Sequence, residues 1–192
     1  MARIDVSVTL LSAMAAAAIS GCAARPPVAY EPPPAAACCS SWKQVHFKQM
    51  DSNEVCGVTI SIESSPTFEF AEGRSTFVAY QLPSGKFSSM MVETYTSSDL
   101  LPMATLFRPR ALFLDSHLSE VGSADLAAMK RGSKAFRGAY YYSTTSVPTD
   151  ATCVVIYAAS SRNTDRIVAH SVNGDMFGLP NAYEGKISII LE

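Results

Sequence analysis

The chain has 192 residues, is 48% hydrophobic and 17% charged, and carries a formal net charge of −2. That apolar content excludes a disordered body, and the length supports one domain with a core of its own. Lys130, Arg131, Lys134 and Arg137 form a small basic cluster in an otherwise balanced chain. It reads as a solvated loop or helix end, and no nucleic-acid partner is expected.

In chain order, Arg3 supplies a positive start that Asp5 partly offsets, and residues 6–18 form an apolar run. At about 13 residues the run is too short to span a bilayer, which needs roughly 20. It fits the apolar core of a secretory signal. Ser20 and Gly21 then precede Cys22. Residues 1–21 therefore read as a lipoprotein signal peptide and Cys22 as the lipid-accepting thiol. An ordinary cleaved signal with an incidental cysteine is the alternative. Ala23 and Ala24 stand where an aspartate would retain the protein at the inner membrane. The implied address is the periplasm, anchored by Cys22 to the inner leaflet of the outer membrane. Each buried methylene is worth about 0.8 kcal/mol, so several acyl chains such as palmitate hold where one is marginal. Residues 22–37 form a lipidated linker rich in proline and alanine, with Pro26, Pro27, Pro32, Pro33 and Pro34. Such a composition favours polyproline II at about 3.1 Å per residue, a reach of roughly 45 Å.

If Cys22 is lipidated, Cys38, Cys39, Cys56 and Cys153 remain. An even number in an oxidising compartment predicts disulfides. A vicinal Cys38–Cys39 bridge would leave Cys56 to pair with Cys153. The other two pairings would staple the N-terminal segment to the body, and spacing does not choose among the three. No Cys-x-x-Cys occurs, and His46, His117 and His170 stand far apart, so no metal site and no cofactor are expected.

Residues 38–192 form the predicted domain. Strands are expected over 55–63, through Phe68 and Phe70, and over 76–82, 87–95, 105–114, 139–147, 153–158 and 186–191. These segments are short, rich in β-branched and aromatic residues, and bounded by Gly, Pro, Asn and Ser. The continuous apolar run 153–158 predicts a central buried strand. Pro109 implies a strand start or a bulge. Pro83-Ser84-Gly85 suggests a hairpin between its flanking strands, and Asn173-Gly174 suits a turn with positive φ. Residues 124–130 form the one predicted helix, with Ser123 as its cap and Gly132 as its stop. The expected fold is all-β: an antiparallel, jelly-roll-like β-sandwich of about eight or nine strands with one short helix.

No catalytic constellation emerges. The chain contains no Gly-x-Ser-x-Gly, phosphate loop, His-Glu-x-x-His or dinucleotide fingerprint. Ser40-Ser41-Trp42-Lys43 fits Ser-x-x-Lys but lacks that motif's downstream partners. Asp99, Asp115, Asp165 and Asp175 read as turn residues, and no enzyme is expected. Over 173–184, Asn173, Asp175, Phe177, Asn181 and Tyr183 could form a sugar-binding loop. Aromatic faces would stack on sugar C–H groups while amide and carboxylate take hydroxyls. The preferred reading is structural: Phe177 and Tyr183 pin the segment to the sandwich while Asn and Asp make its turns.

Several stretches carry a family resemblance. They are Phe77-Val78-Ala79-Tyr80-Gln81-Leu82-Pro83, then Leu106-Phe107-Arg108-Pro109-Arg110-Ala111-Leu112-Phe113-Leu114-Asp115, then Val154-Val155-Ile156-Tyr157, and Gly185-Lys186-Ile187-Ser188-Ile189-Ile190-Leu191. Cys38-Cys39-Ser40-Ser41 opens the domain as in lipoprotein members. With these, the chain resembles the MalM family of periplasmic proteins, named for a product of maltose operons, over residues 38–192. The maltose-operon member has a plain signal in place of the lipobox and continues into a further helical segment. The resemblance implies an exported β-sandwich linked to maltose or maltodextrin uptake, and it brings no catalytic residues. The expected function is that of a non-enzymatic accessory or binding module in carbohydrate transport, on an outer-membrane-anchored lipoprotein. Its partners would be the membrane and a maltodextrin or porin. The alternative is a structural envelope protein docking on a porin or another outer-membrane partner.

Overall fold

The computed structural model describes residues 36–134, 138–159, 166–171 and 173–192. The predicted signal peptide, Cys22 and most of the linker lie outside the described residues. A short 3-10 turn, Trp42–Gln44, precedes strands β1 (Lys48–Gln49), β2 (Glu54–Ile60), β3 (Thr67–Phe70), β4 (Gly73–Gln81) and β5 (Ser89–Tyr95). A second turn, Leu101–Met103, leads into β6 (Leu106–Phe107), β7 (Pro109–Leu114), β8 (Glu120–Asp125), β9 (Lys130–Lys134) and β10 (Gly138–Ser146). The chain closes with β11 (Cys153–Ala158), β12 (Ile167–His170), β13 (Met176–Leu179), β14 (Asn181–Ala182) and β15 (Gly185–Leu191).

Two sheets make the body. The first runs β1-β4-β11-β7-β8, with β3 also paired to β4; the second runs β2-β15-β5-β10-β9. Apart from the parallel β1–β4 pair, their strands are antiparallel. Neither closes into a barrel, so the fold is an all-β sandwich, as the alternating patterns predict.

Side-chain alternation divides each strand between two faces. Val78, Tyr80, Ala111, Phe113, Val154 and Ile156 of the first sheet meet Ile60, Met90, Val92, Ile187, Ile189 and Leu191 of the second in the main core. The outer face of the first sheet is also covered. Phe77, Leu112, Leu114, Cys153, Val155 and Tyr157 pack there beneath Trp42, Phe47, Phe68 and Phe70. Burial on both faces explains the uninterrupted apolar run of β11, which lies between β4 and β7. A third cluster joins Leu106 and Tyr141 to Ala169 and Leu179, and seats the separate β12–β13 hairpin at one end.

Three local expectations are corrected. Residues 124–130 are not helical: their first two residues end β8, Lys130 begins β9, and Ser123 lies within β8. A helix of seven residues is marginal alone, whereas β8 satisfies its backbone on β7 through pairs such as Ala111 with Ala124. Asp125 Oδ1 accepts the Ala127 N–H at 3.0 Å and turns the chain there. Pro83-Ser84-Gly85 does not join a hairpin, because β4 and β5 belong to opposite sheets. Among the described residues, eleven strands build the two sheets and four more lie outside them, where eight or nine were expected. Strands such as β8 and β9 are short and polar and carry no apolar run, and β12 is only four residues long. Pro109 opens β7, and Gly174, at φ +88°, makes the β12–β13 turn, both as expected.

Arg108 is 3% exposed. Its Nη2 lies 3.8 Å from Asp125 Oδ1. Among the described residues, its Nε and Nη1 have no hydrogen-bond partner, and neither do the side-chain amide atoms of buried Asn181.

Candidate ligand-binding face

The segment 173–184 is not one continuous loop: it holds the end of a hairpin turn, β13 and β14. Asn173 and Asp175 form the hairpin turn, where the Ser171 N–H donates to the Asp175 carbonyl at 2.9 Å and the Asp175 N–H to Ser171 Oγ at 3.1 Å. Phe177, on β13, lines a cleft of about 370 Å³ with Asp99, Leu100, Arg131, Tyr141 and His170. Burial pushes the Tyr141 phenol above its ordinary value, and the Arg131 charge opposes that shift. Tyr183 is 3% exposed in the main core, and its carbonyl accepts the Thr76 hydroxyl. The four candidate residues Asn173, Asp175, Phe177 and Tyr183 therefore do not share a site, and Tyr183 is sealed from any ligand.

Cys38 and Cys39 form the vicinal disulfide. Cys56 and Cys153 remain thiols, so the expected second bridge does not form. Cys56 faces outward from the second sheet, with Sγ 2.7 Å from Glu54 Oε1. Cys153 lies on the outer face of the first sheet. The whole sandwich separates the two, and burial pushes the Cys153 thiol up against a hydrogen bond from Thr152.

Other sequence candidates resolve into local structure. Ser40 Oγ donates to Gln44 Oε1 at 3.1 Å. Asp115 Oδ1 accepts the His117 and Ser119 N–H groups, each at 2.8 Å. Asp165, the Lys134 side chain and Arg137 lie outside the described residues. Among the described residues, no three or more His, Cys, Asp or Glu side chains are grouped to hold a metal ion.

Two aromatic assemblies remain. The first covers the outer face of the first sheet, beside a cleft of about 290 Å³ lined by Trp42, Phe68, Phe70, Arg110, Glu120 and Tyr157. Its rings are turned on one another. Trp42 stacks on Phe68 at 4.1 Å and Phe70 on Tyr157 at 3.8 Å. Arg110 pairs with Glu72 and, at 3.5 Å, with Asp125. Burial raises the Tyr157 phenol, and the Arg110 charge and hydrogen bond lower it. This assembly acts as a second small core.

The second assembly stands on the outer face of the second sheet, where none of the three apolar clusters lies. The register builds two cross-strand rows. Thr59, Lys186 and Tyr95 lie in line, and the next pair in that row is Tyr140 with Gly132. Ser188, Glu93, Tyr142 and Lys130 form the adjacent row. Tyr140 lies 6.3 Å from Tyr95 and 5.9 Å from Tyr142 between ring centres, all three half-buried.

Local backbone choices shape this face. A Cβ on Gly132 would fall 2.4 Å from Tyr140 Cζ, so only glycine lets that ring lie flat across β9. At the opposite edge β2 bulges against Ser188, with Gly57 at φ +67° and its N–H donating to Ser188 Oγ at 3.1 Å. The Lys186 stem lies across Gly57. Buried Glu93 accepts the Tyr95 hydroxyl at 3.0 Å, fixing that ring from below. The result is a half-exposed tyrosine platform, its neighbouring rings tilted by 42° and 41° to one another, flanked by Lys186, Lys130 and hydroxyl groups. Such a surface suits a ligand with apolar ring faces and many hydroxyls.

Sequence reasoning missed this face. Its signal was the alternation of Tyr140 with Tyr142 and of Glu93 with Tyr95, each placing polar aromatic chemistry on one side of a strand. Comparison with protein-family models, curated proteins and solved structures finds no match for this chain.

Proposed function

We propose that this protein is an outer-membrane-anchored periplasmic lipoprotein that binds carbohydrate without catalysis, as an accessory module in maltodextrin transport. The tyrosine platform carries the reading. Tyr95, Tyr140 and Tyr142 are held side by side, half-exposed, on the outer face of the second sheet, with Glu93 fixing the Tyr95 hydroxyl beneath. Spacings near 6 Å let neighbouring rings meet a linear glycan along its length. Lys186, Lys130, Thr59 and Thr144 border the rings and supply donors to hydroxyls. An open face with, among the described residues, no pair of acids beside the rings suits retention rather than bond cleavage. The Cys22 lipobox and the resemblance to the MalM family supply the address and the substrate class.

The test is calorimetric titration of the intact mature chain with maltose and longer maltodextrins. Saturable heat that disappears in Tyr140→Ala/Tyr142→Ala supports the reading. No heat at millimolar sugar refutes it and turns the search to a porin partner, captured by crosslinking in intact cells.

A further inference from the structure

Among the described residues, the large apolar side chains that stand exposed are Leu100, Met103, Val168 and Met176, at 66%, 63%, 51% and 71%. All four belong to one lobe. Leu100 and Met103 lie in and beside the turn Leu101–Met103, which packs on β13. Val168 and Met176 share one face of the β12–β13 ribbon, because Met176 is paired with His170, two residues beyond Val168. Their neighbours Ala169 and Leu179 face the other way, into the third cluster.

The described chain enters at this same end. Ala36 accepts the Thr67 hydroxyl at 2.7 Å, and the Cys38 N–H donates to the Thr67 carbonyl at 2.8 Å. Thr67 pairs with Thr76, whose hydroxyl donates to the Tyr183 carbonyl. Tyr183 follows β14, and Pro180, which joins β13 to β14, accepts the Leu106 N–H at 3.0 Å. A short relay of bonds thus connects the chain's entry to the exposed lobe.

We propose that this lobe docks on a lipid bilayer surface, with Leu100, Met103, Val168 and Met176 entering the headgroup boundary. The proposal rests on the reading of Cys22 as lipidated. Residues 23–35 separate Cys22 from Ala36, so the chain spans no more than about 50 Å between them. The nine-residue β4 is about 30 Å long. A tether that ends at the lobe end presents that end to the surface at high effective concentration. Large side chains exposed together in one lobe mark a protein or membrane interaction site, and the tether that ends here selects the membrane. Interfacial insertion rewards buried apolar area and adds to what acyl chains supply. Docking this end leaves the far end of the sandwich, at Ser84, pointing into the periplasm.

The test uses the full mature chain, with its N-terminal mass read first so that lipidation is scored separately. Met176→Trp and Ser84→Trp are compared on phosphatidylethanolamine–phosphatidylglycerol vesicles with brominated acyl chains, at saturating lipid. The emission that Met176→Trp adds to that of Trp42 is expected to fall by roughly half or more, while that from Ser84→Trp stays unchanged. Equal, negligible quenching at both positions on a lipidated, vesicle-bound chain overturns docking and leaves anchoring intact. An unlipidated mass refutes the anchor alone. Docking then stands if Met176→Trp is still quenched and falls if it is not. Shielding of Met176→Trp from aqueous iodide without lipid, in a chain that sediments as a dimer, overturns the proposal in favour of a second copy.

Discussion

Replacing Arg108 with methionine is expected to stabilise the domain. Arg108 is 3% exposed, and among the described residues two of its guanidinium nitrogens have no partner. A buried, unmade hydrogen bond costs about 1–3 kcal/mol. The opposing loss is the ion pair with Asp125, a 3.8 Å contact whose carboxylate side chain is 45% exposed. Arg110 also holds that carboxylate. Exposed, screened pairs of this kind contribute less than about 1 kcal/mol. Methionine is shorter but close to arginine in volume, and it leaves no donor unpaired. Removing the two unpaired buried donors outweighs the loss of that exposed pair, so a gain of about 2 kcal/mol is expected. At 2–4 °C per kcal/mol for a domain of this size, Tm rises by about 4–8 °C. Urea unfolding followed by Trp42 fluorescence gives the change directly, provided the slope m is unchanged. A midpoint that falls by the equivalent of about 1 kcal/mol or more would refute the reasoning, since the guanidinium would then be stabilising where it sits.

Gly132→Ala would push Tyr140 off β9, since the new Cβ falls 2.4 Å from Cζ. Maltodextrin affinity is expected to drop about 2–10-fold, the loss of one aromatic contact, and unchanged affinity would separate the ring's placement from binding. Alkaline pH is expected to destabilise the fold. Burial raises the phenols of Tyr80, Tyr141 and Tyr157 above their ordinary 10.0. Above that pH the unfolded chain holds fewer protons than the native one, so stability falls as pH rises. The contribution is fully present below pH 10.0 and is lost through the raised folded values. A urea midpoint that stays flat from pH 9 to pH 11 would contradict this.

The local pattern of side chains determined much of the fold. Strand 153–158 is legible because six apolar residues in a row suit a strand covered on both sides. The stretches over β2 and β15 are legible because alternation is a property of one strand, set by backbone geometry alone. Gly174 in its turn and Pro109 at a strand start follow from backbone chemistry at single residues.

Tertiary structure decided what depends on neighbours. Residues 124–130 have local features of a helix, yet pairing with β7 claims their start, because a short helix cannot satisfy its own ends. Tyr183 and Tyr140 are the same residue type in similar polar surroundings. One is sealed in the main core and the other lies open on a sheet, because only the packing of distant strands sets which face is covered. Cys56 and Cys153 could not be judged until the two sheets placed them on opposite outer surfaces. The tyrosine platform joins β5, β10 and β15, segments far apart in sequence, through a register that no single strand encodes. Side-chain direction is local, but adjacency is set by long-range pairing and by burial of the shared core.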